Sequence, residues 1–443
     1  MVTSERTIST ARSGLVVHRT PRALLALCFA VLVLDGYDVV MFGAVVPSLL
    51  RADGWALDRG DIGVLGAMAV VGMLLGALVA GALVDRRGRR PVLVLSVVVF
   101  SIGMAICALA PTPGVLGAGR LVVGLGVGSL MPTVAALVAE YAAPGRRHLD
   151  QGIVFGGIGV GGALSGLLSL SLATDGGFRA MFVAGVLPAF VLVPVLLRWL
   201  PESAEHLIAQ GREREARAQL ARFSIDAEIV PAAPVPFTSA RGSGSWRLLV
   251  GTGYRVRTLL FWATTFLSLL ILFGASTWLP VLMTAVGYSL GSALAFLLTL
   301  NLGVVAASLT AAPLADRFGS RRVISLSFIA AAVAFVLLAQ GPPVAIGFVL
   351  VAVVGVGAVG TQLLVNAYIA ASYPASHRAR ALGTALGIGR LGGIIGPLYG
   401  GWLLADRFPN ELGFYGFALP ALLAGLVIIA VRTAGPGPAA ARR

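Results

Sequence analysis

Twelve long apolar runs constrain this chain more than any other feature. They lie at roughly 23–50, 60–84, 91–110, 114–140, 152–173, 179–200, 257–286, 291–315, 322–340, 343–372, 380–404 and 411–432. A helix crosses a bilayer in ~20 residues at ~1.5 Å rise each, so these runs have membrane-crossing length. Lipid offers a backbone no hydrogen-bond partner, so each run must satisfy itself as a helix. The breaks between runs are turn-like, as in Pro111-Thr112-Pro113-Gly114, Asp175-Gly176-Gly177 and Gly341-Pro342-Pro343. Composition agrees: 58% of the 443 residues are hydrophobic and 12% charged, too apolar for a soluble domain of this size. The expected fold class is an all-α membrane protein with twelve transmembrane helices. Residues 201–256 are mixed-charge, rich in Pro, Ser and Gly toward their end, with a short helix expected over 203–223. They separate two six-helix halves, 23–200 and 257–432, flanked by tails 1–22 and 433–443. The first tail looks like a signal n-region. The run after it is too long and lacks a small-residue cleavage site, so the first span is expected to stay attached.

Every one of the 33 basic residues is Arg. With the N-terminus inside, 27 fall on predicted cytoplasmic segments and four (Arg51, Arg59, Arg179, Arg407) on predicted outer loops. The positive-inside rule then predicts both termini in the cytoplasm, and the expected location is the plasma (inner) membrane. It also accounts for the net charge of +14 without nucleic acid. The two cysteines, Cys28 and Cys107, fall near opposite membrane faces, which excludes a disulfide and leaves no metal set. All four histidines fall in loops or tails, so carboxylates are the titratable groups expected at membrane depth.

Two of them stand in the first span, in Leu34-Asp35-Gly36-Tyr37-Asp38. A carboxylate at the midplane costs ~2.5–3.5 kcal/mol on insertion scales. Three residues apart, Asp35 and Asp38 share one helix face. The functional reading is a proton-handling site in a transporter. The structural one is a pair of capping or packing aspartates at a helix broken at Gly36. Two arginines also lie inside spans. Arg120 needs a partner, for which Asp35 or Asp38 serves, unless it snorkels to the outer interface. Arg390 sits mid-span, where its planar fork suits a substrate carboxylate, or else an ion pair with a first-span aspartate. Gln362 and Asn366, four apart on one face of the tenth helix, can bond ring substituents or a neighbouring helix. Tyr37, Phe42, Trp278 and Tyr368 are candidates for stacking on an aromatic substrate, against the plain alternative of packing.

The halves repeat. Gly81-Ala82-Leu83-Val84-Asp85-Arg86-Arg87-Gly88-Arg89-Arg90 follows the second span, and Pro313-Leu314-Ala315-Asp316-Arg317-Phe318-Gly319-Ser320-Arg321-Arg322 follows the eighth. Asp85 and Asp316 are 231 apart, Tyr141 and Tyr373 232 apart. An offset held across separate motifs means duplication, with parallel halves about an axis along the membrane normal.

These residues resemble the major facilitator superfamily. The loop at 81–90 is similar to its signature, Arg120-x3-Gly124-x-Gly126-x-Gly128 to its fourth-helix motif, and Leu200-Pro201-Glu202-Ser203 to the segment after its sixth span. More narrowly, several stretches resemble the aromatic acid/proton symporters. They are Asp35-Gly36-Tyr37-Asp38, Gly128-Ser129-Leu130-Met131-Pro132 with Glu140-Tyr141, Trp278-Leu279-Pro280, Asn366-Ala367 through Tyr373-Pro374, and Gly387-Ile388-Gly389-Arg390-Leu391-Gly392 with Gly396-Pro397. The resemblance implies the major facilitator fold, two six-helix pseudo-repeats. It further implies that Asp85, with Arg86, Gly88, Arg89 and Arg90, latches one conformation and releases the other. Asp316 and Arg317 form a degraded second copy. Independently of family, Gly88 permits the tight turn and Asp85 is placed to meet a helix N-terminus or an arginine. The Gly124-x-Gly126-x-Gly128 run lies in an apolar span with no strand before it, so it is a packing face and no nucleotide loop. No nucleophile, metal set or phosphate loop supports an enzyme, and no sizeable soluble domain supports a sensor. The expectation is a proton-coupled symporter importing an organic acid, most simply an aromatic carboxylate, by alternating access. It works as a monomer with no cofactor beyond the coupling proton. Asp35 and Asp38 take up the proton, coupled to a bond with Arg120, and Arg390 holds the acid. The fifth span lacks the Gly-Pro pair that antiporters of the superfamily carry, which favours symport. The alternative is another facilitator, for sugars or other metabolites, or a drug/proton antiporter.

Overall fold

The computed structural model describes residues 20–52, 54–143, 146–175, 177–222, 251, 254–405, 408–409 and 411–431. The first half runs α1 (Arg22–Leu49), α2 (Arg59–Arg87), α3 (Arg89–Leu109), α4 (Pro113–Tyr141), α5 (Arg147–Asp175) and α6 (Gly177–Trp199). Two short helices follow, α7 (Ala204–Ala209) and α8 (Glu213–Arg222). The second half runs α9 (Arg255–Ala285), α10 (Leu290–Phe318), α11 (Ser320–Leu338), α12 (Val344–Val354), a π-helical stretch (Gly355–Gly360), α13 (Thr361–Ser372), α14 (Ala375–Leu403) and α15 (Glu411–Ile429). With α12, the π stretch and α13 counted as one rod, twelve helices among the described residues are long and apolar enough to cross a membrane. The chain is a multi-pass, all-α membrane protein. Hydropathy places the helix ends well, except that α5 and α14 start earlier, because their first turns are polar. The single helix expected over 203–223 is two, broken at Gly211, whose φ of 74° is left-handed. The two tails and most of the linker fall outside the described residues.

The duplication recurs in the packing. α1 lies on α5 as α9 lies on α14, and α3 on α6 as α11 on α15. Both loop copies turn on a left-handed glycine, Gly88 at φ 91° and Gly319 at φ 87°. The offset between halves is not constant, and the structure locates the change. Asp85 and Asp316 are 231 apart, Tyr141 and Tyr373 232 apart, and between them lies the π stretch. One extra residue is what a π turn accommodates within a continuous helix. In the first half the corresponding helix is unbroken α and carries Gly124, Gly126 and Gly128. A Cβ on Gly124 would stand 2.0 Å from the Ala69 carbonyl oxygen, and one on Gly128 2.1 Å from that of Met73, so α2 packs directly against this face. α1 is also continuous: Gly36 is there because a Cβ would stand 1.9 Å from the Ile158 carbonyl oxygen of α5. The broken-helix explanation of the two aspartates therefore does not hold.

α1 starts, and α15 ends, at what we call the terminal face. The halves meet toward the opposite, far face. There the Arg59 guanidinium donates to the Leu404 carbonyl, and Gly63 of α2 faces the Pro397 carbonyl of α14, 2.9 Å from a built Cβ. Gly166 of α5 likewise meets the Leu298 backbone of α10 at 2.9 Å. On the same helix faces nearer the terminal end, a Cβ built on Gly152, Gly156, Gly383 or Gly387 meets nothing within 4 Å. The two halves are sealed at the far face and parted toward the terminal one.

Candidate functional site

α1 brings the two aspartates to the seam between halves, where each meets a different environment. Asp38 is fully buried, and its Oδ1 accepts from Nη1 of Arg120, itself 3% exposed, on α4. The Arg120 guanidinium lies 4.5 Å from the Phe42 ring centroid. That cation–π contact compensates part of its desolvation. Asp38 Oδ2 and Arg120 Nε have no hydrogen-bond partner among the described residues. Both residues line a small cavity with Phe42, Val70, Phe273 and Pro397, which holds about 10 Å³, room for roughly one water. An orphaned acceptor and an orphaned donor at the edge of such a space are what a bridging water satisfies.

Asp35, one turn closer to the terminal face, is 6% exposed and forms no hydrogen bond or ion pair among the described residues. Its charge neighbours are Arg390 and Asp38. Arg390 of α14 is partly exposed, hydrogen-bonds to no described residue, and has Asp35 as its charge neighbour. Helical periodicity puts Gly383, Gly387, Arg390, Pro397 and Gly401 on one side of α14. Pro397 and Gly401 press on α2 of the first half, whereas Gly383 and Gly387 open onto space. Arg390 thus sits where the seam opens, on the face turned to the other half. The sequence left Arg120 a choice of aspartates. Packing assigns it Asp38, and leaves Asp35 with Arg390 as its charge neighbour of opposite sign.

The other candidates divide. Phe42 joins the buried pair by stacking on Arg120. Tyr37 turns away, its hydroxyl donating to the Met181 carbonyl of α6 at 2.7 Å. Trp278 is fully buried, and its indole N–H donates to the Pro397 carbonyl at 2.8 Å, bracing α9 against α14. Tyr368 packs edge-on against Phe261, 5.4 Å between centroids, in the core of the second half. In this conformation Tyr37 and Trp278 are packing residues, and Tyr368 packs by its ring while its hydroxyl is buried with no hydrogen-bond partner among the described residues. Gln362 donates from Nε2 to Asn366 Oδ1 at 2.8 Å, and its Oε1 is buried without a partner among the described residues.

At the terminal face, Gly88 is buried under the Glu202 carboxylate, 2.6 Å from a built Cβ. Glu202 accepts from the backbone N–H groups of Arg89 (2.8 Å) and Arg90 (3.2 Å), capping α3, an anion at the positive end of a helix. The Arg89 guanidinium bridges Glu140 and Glu205, the latter at 2.9 Å. Glu140 also accepts from Ser203 Oγ (2.8 Å) and the Glu205 N–H (2.9 Å). The Tyr141 hydroxyl donates to the Glu202 carbonyl at 2.6 Å, and the Arg90 guanidinium to the Leu197 carbonyl. This network ties α3, α4, α6 and α7 into one base. Asp85, expected to meet a helix N-terminus or an arginine, forms no hydrogen bond or ion pair among the described residues: Asp85 and Arg86 are exposed, and α14 has parted from α2 at that level. Asp316 is exposed too, and Arg317 stacks on the adjacent Phe318 ring at 5.1 Å. The roles of Glu140 and Glu205 were not legible beforehand. The only signal was carboxylates at the ends of spans facing an arginine-rich loop.

The family model of the Major Facilitator Superfamily matches residues 28–305 and 295–443. The gentisate transporter of Corynebacterium glutamicum is 34% identical over 94% of this chain and 88% of its own. The gallate transporter of Pseudomonas putida is 34% identical over 92% of this chain and 91% of its own. The benzoate transport protein of Acinetobacter baylyi is 29% identical over 92% of this chain and 88% of its own. Among solved structures, the inward open conformation of the xylose transporter XylE from E. coli superposes with a TM-score of 0.73 at 18% identity, covering 94% of this chain and 97% of that one, a likeness of fold. By family model, relatives and fold, the chain is a transporter rather than an enzyme, a member of the Major Facilitator Superfamily whose sequence resembles the aromatic acid/proton symporters.

Proposed function

We propose that this protein imports an aromatic carboxylate across the plasma membrane together with protons. One observation carries the reading: Arg390, a permanent cation at membrane depth, faces the opening seam with no hydrogen-bonded counter-ion among the described residues. A guanidinium there is kept for an anion, and its planar fork matches a carboxylate with two parallel bonds. The relatives named for gentisate, gallate and benzoate supply the class of acid.

Coupling follows from one cation with two suitors. The substrate carboxylate and the ionised Asp35 compete for Arg390. Protonated Asp35 leaves Arg390 to the substrate. When substrate departs, Asp35 gives up its proton and becomes the counter-ion. Asp38 and Arg120 form a second pair, one turn away, that a proton on Asp38 would release. The arginine distribution supports a cytoplasmic terminal face, and with that sidedness the present conformation is the inward-facing one. Asp85 is then released, in keeping with a latch that closes only when α2 and α14 approach.

The test is uptake into proteoliposomes of benzoate, hydroxybenzoates, gentisate, a sugar and a cationic dye, with and without a pH gradient. Accumulation of an aromatic acid that collapses with the gradient is the expected result. Accumulation of sugar or dye alone would overturn the reading. Orientation is checked by single cysteines at Ser243 and Ser289 in a background lacking Cys28 and Cys107. Ser243 should label from inside and Ser289 from outside.

A further inference from the structure

The Gln362–Asn366 pair is a buried polar device that the proposal above does not use. Gln362 is 8% exposed, and its Oε1 has no donor among the described residues. Leaving a buried acceptor unsatisfied costs its full desolvation, and lipid supplies no water to repair it. The Gln362–Asn366 bond leaves one acceptor group of the pair, Gln362 Oε1, and one donor group, Asn366 Nδ2, wholly unused by it. Reversing both amides again leaves one acceptor and one donor.

The fold itself does not require polar residues here. With the 232-residue offset of Tyr141 and Tyr373, Gln362 corresponds to Leu130 and Asn366 to Val134, both fully buried hydrophobics in the first half. The pair also follows directly on the π stretch, the insertion that the first half lacks. π turns recur where function re-aims side chains. Asn366 lies on the side of α13 opposite Tyr368, which faces the core of its own half. Measured inward from the terminal face, Gln362 lies ~15 Å from the end of α13 and Arg390 ~22 Å from the start of α14. That offset of ~7 Å is about one substituted aromatic ring.

We infer that Gln362 and Asn366 read a ring hydroxyl, so that the protein selects hydroxylated aromatic acids over unsubstituted ones. This rests on the aromatic-acid reading above. A phenolic hydroxyl donates to Gln362 Oε1 and accepts from Asn366 Nδ2. A ring C–H does neither and leaves Gln362 Oε1 and Asn366 Nδ2 without that partner, the asymmetry by which a polar site rejects an analogue lacking its hydroxyl.

The experiment is competition against labelled uptake in proteoliposomes by benzoate, its three monohydroxylated isomers and gentisate. The readout is the affinity ratio of each hydroxy acid to benzoate. In the wild type at least one hydroxy acid should be favoured by roughly tenfold or more. Gln362→Leu and Asn366→Val, which copy the first half, should bring that ratio to within about twofold. A ratio unmoved by either substitution, or moved only in step with a lowered melting temperature and restored when uptake is measured in the cold, assigns the pair to helix packing and overturns the inference. Should the variants fail to insert, the wild-type panel still decides: equal affinity for benzoate and every hydroxy acid overturns the inference and leaves the aromatic-acid reading standing. Failure to bind any aromatic acid overturns both.

Discussion

The two halves share one scaffold and differ in how they treat charge. In the first, nearly every important charge is paired within the half: Asp38 with Arg120 at membrane depth, and Arg89 with Glu140 and Glu205 at the terminal face. In the second, Arg390 has no hydrogen-bonded partner among the described residues, Ser372 stands where the first half has Glu140, and Val351 stands where the first has Arg120. At membrane depth Asp35 is the exception in the first half, and its charge neighbour of opposite sign is Arg390. Duplication supplied two equivalent bundles. Divergence then left, at membrane depth among the described residues, one anion and one cation without a hydrogen-bonded partner, in different halves. A charge satisfied within its own bundle stabilises that bundle. A charge satisfied only across the seam makes its energy depend on the state of the seam and on what occupies it.

Arg390→Ala tests the second side of this contrast and should have the largest effect. Loss of two charge-assisted bonds of ~1.5–3 kcal/mol each should weaken binding of the acid by a factor of a hundred or more. Arg390→Lys should restore only part of it, since the fork is gone. Unchanged affinity in Arg390→Ala, measured by equilibrium binding, would return this arginine to a structural role.

The two aspartates sharpen the contrast. Each Asn variant should lose accumulation driven by a pH gradient while still exchanging labelled substrate at equal pH. They should differ in stability. Asp38→Asn strands the buried Arg120 and should cost ~3–5 kcal/mol, visible as a lowered melting temperature, whereas Asp35→Asn removes no hydrogen bond and should cost far less. If both variants accumulate substrate like the wild type, neither carries the proton.

Smaller effects are expected at the terminal face. Arg89→Ala should destabilise by about 1–3 kcal/mol, because it leaves Glu140 buried with one donor fewer. Arg321→Ala, which removes one 3.4 Å bond to the Val431 carbonyl, should cost little. Equal losses in denaturant titrations would contradict the picture of an anchored first half and a looser second. Asp85→Asn should slow transport several-fold with little change in substrate affinity, because a latch alters populations rather than the pocket. Asp316→Asn should do less. Binding lost with conformational exchange intact would remove the latch.

The sequence by itself determined the twelve spans, the duplication, the sidedness of the arginines and the short set of charges at membrane depth. Each of these is written locally: hydropathy sums along the chain, and a charge inside a run is costly wherever its helix ends up. It also carried the π stretch, in a one-residue change of offset that only the helix geometry made meaningful. What the tertiary structure alone decided is who faces whom. Asp35 and Asp38 are equivalent as residues, and only the packing of α1 against α4 gives Arg120 to Asp38 and leaves Asp35 with Arg390 as a charge neighbour. Tyr37, Trp278 and Tyr368 looked as fit as Phe42 to meet a ring, until packing committed their polar ends or faces to neighbouring helices. Arg89 meets Glu205 across 116 residues because α3, α4 and the start of α7 converge at one end of the bundle, and no local pattern encodes that convergence.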